Sequence, residues 1–143
     1  MREVFLSHAS QDRAHAQKLS DILVEQGIPV WFSPKHIRGA QQWQEEIGKA
    51  LARCDWFMVL LTPNSVKSMW VKRELNYALI EKRYEERILP LLLKKCRYQD
   101  LSWVLPQFQW IDFTNDYERG MKELVGILKK TPRTSEKNPG KRV

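Results

Sequence analysis

The sequence predicts an α/β fold, a parallel β-sheet with helices packed on both of its faces. Short runs rich in β-branched, aromatic and aliphatic residues alternate with longer stretches of helical periodicity. Such alternation is typical of right-handed βαβ units. Two of the runs, "DWFMVLLT" and "RILPLLL", are almost wholly apolar, which is the pattern of strands buried on both faces of a sheet.

The predicted elements alternate along the chain. The strands are the short β-rich runs at residues 3–7, 29–32, 55–62, 87–93 and 109–113. The helices are the amphipathic stretches at residues 11–26, 43–53, 69–84 and 116–130, and residues 94–108 form an irregular segment with one short helical turn. Five strands connected in this way favour a flavodoxin-like fold of three layers, with a five-stranded parallel sheet in the order 2-1-3-4-5.

Polar residues and a glycine mark the ends of two predicted helices. Asp12, near the start of the first helix, and Ser68, directly before Met69, are candidate N-caps because their side chains can accept hydrogen bonds from free backbone N–H groups. Gly27 follows the first helix and is a typical stop signal.

The predicted strand order creates a crevice between strands 1 and 3, at their carboxyl ends, where ligands of such sheets usually bind. Three loops frame it: "SHASQD", "SPKHIRGAQQ" and "TPNSVKS".

The chain has no GxGxxG or GxxxxGK[ST] pattern, so a nucleotide would not be held by a Rossmann or P-loop cradle. Strand 1 ends in Ser7 and His8 rather than in carboxylates, which argues against a phosphate-accepting receiver domain. Adjacent strand residues point to opposite faces, which argues against a Ser–His nucleophile pair.

Length and charge limit the classes of protein. A chain of 143 residues suffices for one hydrophobic core. We predict one domain over residues 1–130, followed by a basic, disordered tail over residues 131–143. The net charge of +7 is concentrated in part in that tail. This distribution is typical of a solvated tail rather than of a nucleic-acid-binding arm, so we expect no nucleic acid partner.

Cysteine, histidine and hydropathy patterns indicate an intracellular setting. Cys54 and Cys96 form no CxxC pair and the three histidines lack metal-like spacing, so we expect reduced thiols and no metal site. Apolar runs such as "FMVLL" are too short to span a bilayer, and the start "MREVFLS" lacks the hydrophobic core of a secretion signal. We therefore expect a soluble cytoplasmic protein with no membrane partner.

The helix predicted after strand 3 carries an acid in an unusual place. On a helical wheel its core stripe consists of Val71, Leu75, Ala78 and Leu79, and a second stripe on the shoulder consists of Trp70, Glu74, Tyr77 and Glu81. No residue three or four positions from Glu74 is basic, so no intrahelical ion pair accounts for this acid. Two interpretations remain open: Glu74 is a helix-forming side chain that faces water, or it is a functional acid.

Several motifs together resemble a bacterial TIR (Toll/interleukin-1 receptor homology) domain, and the resemblance covers residues 3–130. "VFLSHASQD" is similar to the family's first box, and "VWFSPKHIRGAQQW" is similar to its second strand and BB loop, with the loop glycine at Gly39. "LLTPNSVKSMWVKREL" resembles its third-strand segment, and "FQWIDF" resembles its last strand.

The resemblance implies an enzyme that cleaves NAD⁺ at the nicotinamide–ribose bond and gives ADP-ribose or a cyclic ADP-ribose. The family's catalytic acid lies in a W-x-x-x-E pattern, which this chain carries from Trp70 to Glu74. NAD⁺ is then the substrate, and no separate cofactor is expected. The predicted ligand contacts beside the catalytic Glu74 are His8, Ser10, Ser33, Lys35, Arg38, Trp70 and Tyr77.

Some of these residues have simpler interpretations. Trp70 either stacks on the ligand or packs at the helix start, and the two roles are compatible. Lys35 and Arg38 either face the diphosphate or belong to a mobile, solvated loop. Trp43 is predicted to anchor the start of a helix rather than to contact a ligand.

The resemblance also implies homotypic TIR–TIR association, in which the BB loop of one protomer packs head to tail against its neighbour and completes the NAD⁺ site. Self-association would then activate the enzyme, in a role such as antiphage defence, signalling or action on a host. One alternative is a non-catalytic TIR scaffold or effector that acts only by protein association. A further alternative is a nucleotide-binding relative similar to a deoxyribosyltransferase.

Overall fold

The computed structural model describes residues 3–33 and 40–130. Its strands are β1 (Val4–Ser7), β2 (Val30–Trp31), β3 (Trp56–Leu61), β4 (Ile88–Leu92) and β5 (Ile111–Asp112), and its helices are α1 (Arg13–Glu25), α2 (Ala40–Arg53), α3 (Met69–Ile80) and α4 (Tyr117–Lys130). The five strands pair in parallel in the order β2-β1-β3-β4-β5, so the predicted fold class and strand order are confirmed. The tail predicted at residues 131–143 lies outside the described residues.

The sheet separates two hydrophobic clusters. Alternate residues of β1 point to opposite faces, so that Val4 and Leu6 join one cluster and Phe5 joins the other. The first cluster packs α1 and α4 against the sheet, and the second packs α2 and α3 against it. Every residue of β3 is buried, which confirms the prediction that this apolar strand is covered on both sides.

The first helix begins differently from the prediction. A 3₁₀ turn at Ser10–Asp12 precedes α1, and the Asp12 side chain makes no capping hydrogen bond. The cap prediction for Asp12 was wrong because its buried carboxylate accepts hydrogen bonds from Thr62 Oγ1 at 2.6 Å and Asn64 Nδ2 at 2.9 Å. These bonds join the loop after β1 to the loop after β3.

The end of α1 confirms the predicted stop. Gly27 has φ of +84°, in the left-handed region that favours glycine. Its N–H donates to Val24 O at 2.9 Å and the Ile28 N–H donates to Leu23 O at 2.9 Å, which satisfies two carbonyls at the helix end.

The third helix starts as predicted and ends earlier. The Ser68 side chain accepts a hydrogen bond from the Val71 N–H at 3.2 Å, so this N-cap is confirmed. The helix ends at Ile80 instead of continuing to residue 84, and a 3₁₀ turn at Lys82–Tyr84 follows. The chain leaves the helix here because Tyr84 is fully buried and donates its hydroxyl hydrogen to Leu51 O at 2.6 Å on the neighbouring helix.

The segment predicted to be irregular contains two short 3₁₀ turns, at Tyr98–Asp100 and Leu105–Gln107, rather than one. In the part of the chain that the structure describes, no helix combines the length and the apolar character needed to cross a membrane.

Candidate active site

A cavity of about 670 Å³ opens at the carboxyl ends of β1, β2 and β3, where the sequence predicted a crevice. This volume is typical of small-molecule sites. Its lining residues come from the strand ends, the following loops and α3: Phe5, Leu6, His8, Ser10, Gln11, Arg13, Trp31, Ser33, Asn64, Lys67, Ser68, Trp70 and Glu74. The cavity lies where the strand order reverses on either side of β1, which is the usual binding position in open α/β sheets.

A second cavity of about 650 Å³ lies near the amino ends of β3 and β4. None of the residues predicted from the sequence to contact a ligand lines it. Its charged lining mixes three glutamates with one lysine, which forms no evident anion or cation site. The first cavity is therefore the candidate active site.

Glu74 is buried at the wall of the first cavity. The residue is 7% exposed, so the interpretation of a helical glutamate that faces water was wrong. Ser7, the last residue of β1, donates its Oγ hydrogen to Glu74 Oε1 over 2.6 Å. In residues 3–33 and 40–130 no Lys, Arg or His forms an ion pair with Glu74. A buried carboxyl group without a cation is an expensive arrangement, which is typical of functional sites.

The environment of Glu74 changes its acidity. Burial raises the pKa of the carboxyl group from its ordinary value to about 7, and the hydrogen bond from Ser7 opposes this rise. Near neutral pH the group therefore exchanges between the neutral and ionised forms. A carboxyl group with such a pKa can act as a base or as an electrostatic stabiliser at physiological pH.

The structure brings most of the predicted contact residues together. His8, Ser10, Ser33 and Trp70 line the same cavity as Glu74, and Trp70 is 36% exposed at its edge. Tyr77, expected beside Glu74, is 37% exposed and is not among the lining residues. Tyr77 follows Glu74 by three positions on α3 and lies outside the cavity.

Three predictions fall outside the described part of the chain. Lys35 and Arg38 lie in residues 34–39, which are not described. Trp43 belongs to α2, but its side chain is not described.

His8 offers an unpaired acceptor at the cavity. Its Nδ1 lies 2.8 Å from Ala9 O, so Nδ1 carries a hydrogen and donates it. Burial is the main cause that lowers the pKa of His8, which favours the neutral ring. Nε2 is then a lone-pair acceptor, and it is buried without a hydrogen-bond partner among the described residues. Ser33 Oγ is likewise buried and unpaired within that set, and unpaired polar atoms of this kind are commonly satisfied by a ligand.

The cavity is lined by two cationic residues that were not predicted from the sequence, Arg13 and Lys67. Arg13 donates from Nη1 to Ser33 O at 2.6 Å, and its guanidinium lies 5.1 Å from the centre of the Phe32 ring. Lys67 is exposed on the loop after β3. Their position just beyond the carboxyl ends of β1 and β3 was an available signal, because side chains in these loops converge on the crevice.

Ser7 was also missed as a site residue. The sequence pattern raised Ser7 only as a nucleophile paired with His8, and in the structure its hydroxyl donates to Glu74 instead. No local pattern could reveal this contact, because 67 residues separate the two partners.

Comparison with known proteins identifies similar chains. A family model described as "TIR domain" matches residues 4–125. The probable 2′ cyclic ADP-D-ribose synthase TcpO of Methanobrevibacter olleyae is 23% identical over 91 residues, which cover 63% of this chain and 27% of the relative. The NAD(+) hydrolase TirS of Staphylococcus aureus is 29% identical over 90 residues, which cover 62% of this chain and 32% of the relative. The matched part therefore spans no more than about a third of either relative.

The fold is also similar to solved structures. The crystal structure of the TIR domain of the Toll-related receptor TRR-2 from Hydra magnipapillata has a TM-score of 0.72 and 19% sequence identity, and covers 88% of this chain and 97% of that chain. At this level of identity the likeness concerns the fold alone.

Proposed function

The chain belongs to the TIR domain family, and from this premise we propose that it cleaves NAD⁺ at the nicotinamide–ribose bond and releases ADP-ribose or a cyclic ADP-ribose. The observation that carries the proposal is Glu74, a buried carboxyl group with a pKa of about 7 at the wall of a ligand-sized cavity. The names of two relatives, an NAD(+) hydrolase and a probable cyclic ADP-ribose synthase, support the same substrate class.

The chemistry of NAD⁺ requires little of the protein beyond one carboxylate. Nicotinamide leaves as a neutral molecule because it is already a cationic pyridinium, so no general acid has to protonate it, in contrast to ordinary glycosides. As the bond breaks, positive charge moves onto the ribose. An ionised Glu74 beside C1 stabilises that charge more strongly in the transition state than in the ground state, and this difference lowers the barrier.

The burial of Glu74 strengthens this effect. Water screens a carboxylate weakly when little of it is exposed, so its field at the ribose is larger than that of a surface glutamate. The pyridinium of bound NAD⁺ also favours the ionised form of Glu74, because an opposite charge nearby lowers a carboxyl pKa. Substrate binding and activation of the acid are therefore coupled.

Other cavity residues provide binding groups for the remaining parts of NAD⁺. The exposed edge of Trp70 offers a surface on which a nicotinamide or adenine ring can stack. Arg13 and Lys67 supply positive charge for the diphosphate, together with the predicted contacts Lys35 and Arg38. His8 lines the same cavity with a neutral ring, whose Nε2 is buried.

A second candidate function is a non-catalytic scaffold that acts by TIR–TIR association. Exposed apolar side chains on one helix favour it: Met69, Tyr77 and Ile80 all lie on α3 and are 60%, 37% and 82% exposed. Such a surface is typical of contacts with another protein. The two functions are compatible, since an enzyme completed by self-association needs both a cavity and a contact surface.

Product analysis separates the two functions. Purified wild-type protein, at high concentration, is incubated with NAD⁺, and nicotinamide, ADP-ribose and cyclic products are resolved chromatographically. We expect release of nicotinamide by the wild type and none above background by Glu74→Ala. Glu81→Gln is the matched control, since Glu81 is the residue directly after α3 and does not line this cavity. No release above background by wild type would leave only the scaffold, whereas equal release by wild type and Glu74→Ala would contradict the catalytic role of Glu74.

A further inference from the structure

We propose that Ser7 is a positioning residue, which fixes the carboxylate of Glu74 through its hydroxyl and favours the ionised form of that group, so that one carboxylate oxygen stays available to the ribose. This inference rests on the proposed role of Glu74 in NAD⁺ cleavage.

The placement of Ser7 is rigid. It is the last residue of β1, paired with Val59 in the middle of the sheet, and it is 1% exposed. Glu74 projects from α3, which packs on the same face of the sheet. The hydrogen bond from Ser7 Oγ to Glu74 Oε1 therefore ties a helical side chain to the central strands of the sheet.

The bond also divides the roles of the two carboxylate oxygens. Oε1 accepts from Ser7, whereas Oε2 has no hydrogen-bond partner among residues 3–33 and 40–130. Oε2 is also absent from the fully buried unpaired atoms of that set, and Glu74 is a lining residue of the cavity. Oε2 is thus the oxygen that can face a bound ribose.

The direction of the bond favours the charged form of Glu74. A serine hydroxyl has one hydrogen, and donating it to a carboxylate stabilises the anion. The 2.6 Å separation lies in the range of charge-assisted O–H···O⁻ bonds, about 2.5–2.7 Å. Ser7 therefore counteracts the burial that would otherwise hold Glu74 neutral.

Other charged groups near Glu74 do not replace this effect. His8 after β1, Arg13 at the start of α1 and Lys67 after β3 line the same cavity, and on α3 itself Lys72 and Arg73 are exposed. The guanidinium of Arg73 lies 5.3 Å from the centre of the Trp70 ring. None of these groups forms an ion pair with Glu74 among the described residues, so Ser7 is the polar group in direct contact with it.

The test measures the pKa of Glu74 independently of catalysis. Protein labelled with ¹³C at the glutamate δ-carbon is titrated by NMR, and the Glu74 signal is assigned by its absence in Glu74→Gln. We expect Ser7→Ala to raise the pKa of Glu74 by about 1–2. A difference of this size corresponds to the free energy of one hydrogen bond to a charged group. Ser7→Thr keeps the hydroxyl and should restore the wild-type value.

Matched variants separate this role from a general effect on folding. Ser20→Ala removes a hydroxyl from a similarly buried position on α1 and should leave the Glu74 titration unchanged. If Ser7→Ala does not fold, Ser7→Cys serves in its place, because a thiol of similar size is a weak donor and should also raise the Glu74 pKa. Thermal unfolding of each variant shows whether it is folded.

The activity profile completes the experiment. The acidic limb of kcat/KM for nicotinamide release should move to higher pH in Ser7→Ala by the same amount as the NMR titration. Unchanged titration of Glu74 in folded Ser7→Ala or Ser7→Cys would overturn the inference. If the titration moves but wild type releases no nicotinamide, the hydrogen-bond role of Ser7 stands and the proposed enzymatic function fails.

Discussion

At the scale of single residues, Glu74 shows a conflict between function and stability. The lack of a basic partner on its helix left the role of this acid open, and the resemblance to a TIR domain, with its W-x-x-x-E pattern, implied that it is functional. Its burial and its bond to Ser7 could not be predicted, because they depend on how α3 sits against β1. For the same reason Arg13 and Lys67 were missed, since their convergence requires the three-dimensional position of two separate loops.

Replacement of Glu74 by glutamine should stabilise the protein at alkaline pH. The folded-state pKa of about 7 exceeds the ordinary unfolded value of about 4.3. The folded wild type therefore holds an extra proton between these values, and its free energy of unfolding falls as pH rises from about 4.3 to about 7. Glu74→Gln does not titrate and so avoids this loss, and its stability advantage should grow over that range to at most about 4 kcal/mol.

Urea unfolding of wild type and Glu74→Gln at pH 5, 6, 7 and 8 measures this advantage. The difference in unfolding free energy should increase up to pH 7 and then remain constant. A difference that does not vary with pH would show that Glu74 titrates in the folded protein as it does in the unfolded chain.

At the scale of the elements, hydrophobic periodicity was a reliable guide and local capping chemistry was less so. The strands and the Ser68 cap were predicted correctly because each follows from a pattern within a few residues. The strand order was predicted correctly because strands and helices alternate along the whole chain. The early end of α3 was not, because it depends on the distant carbonyl that Tyr84 reaches. The cap prediction for Asp12 was wrong for the same reason, because its hydrogen-bond partners lie 50 and 52 residues away in the sequence.

Loss of the Asp12 carboxylate should loosen the loops that carry the cavity. Asp12→Ala leaves the buried Thr62 hydroxyl without its acceptor and removes a second bond to Asn64. We expect a loss of about 2–4 kcal/mol in unfolding free energy, from two hydrogen bonds to a buried charged group. Asp21→Ala is the matched control, since that exposed carboxylate on α1 accepts one hydrogen bond from Gln17 and should cost little.

Chemical denaturation of both variants measures these costs. A cost for Asp12→Ala no larger than that for Asp21→Ala would mean that the joined loops add nothing to the stability of the fold.

At the scale of the whole molecule, the open sheet places one cavity and one apolar helix surface side by side. Trp70 belongs to both, since it lines the cavity and lies on the same helix as the exposed Met69, Tyr77 and Ile80. The predicted head-to-tail association would therefore occur next to the proposed site of chemistry. The isolated domain is then expected to be weakly active.

Activity per molecule should rise with protein concentration. Nicotinamide release is measured over a thousandfold range of protein concentration at saturating NAD⁺, with the oligomeric state followed by light scattering. We expect specific activity to increase together with the oligomeric fraction. Constant specific activity over the whole range would show that a single copy is fully competent.

The most direct test of the account separates binding from chemistry at Glu74. Calorimetry gives the Kd for NAD⁺, and rapid-quench assays give the rate of nicotinamide release, for wild type and Glu74→Gln. Because the carboxylate acts on charge that develops only in the transition state, the rate should fall by about a thousandfold or more while Kd changes by less than about tenfold. A Glu74→Gln protein that retains the wild-type rate, or that loses binding in proportion to rate, would contradict the account.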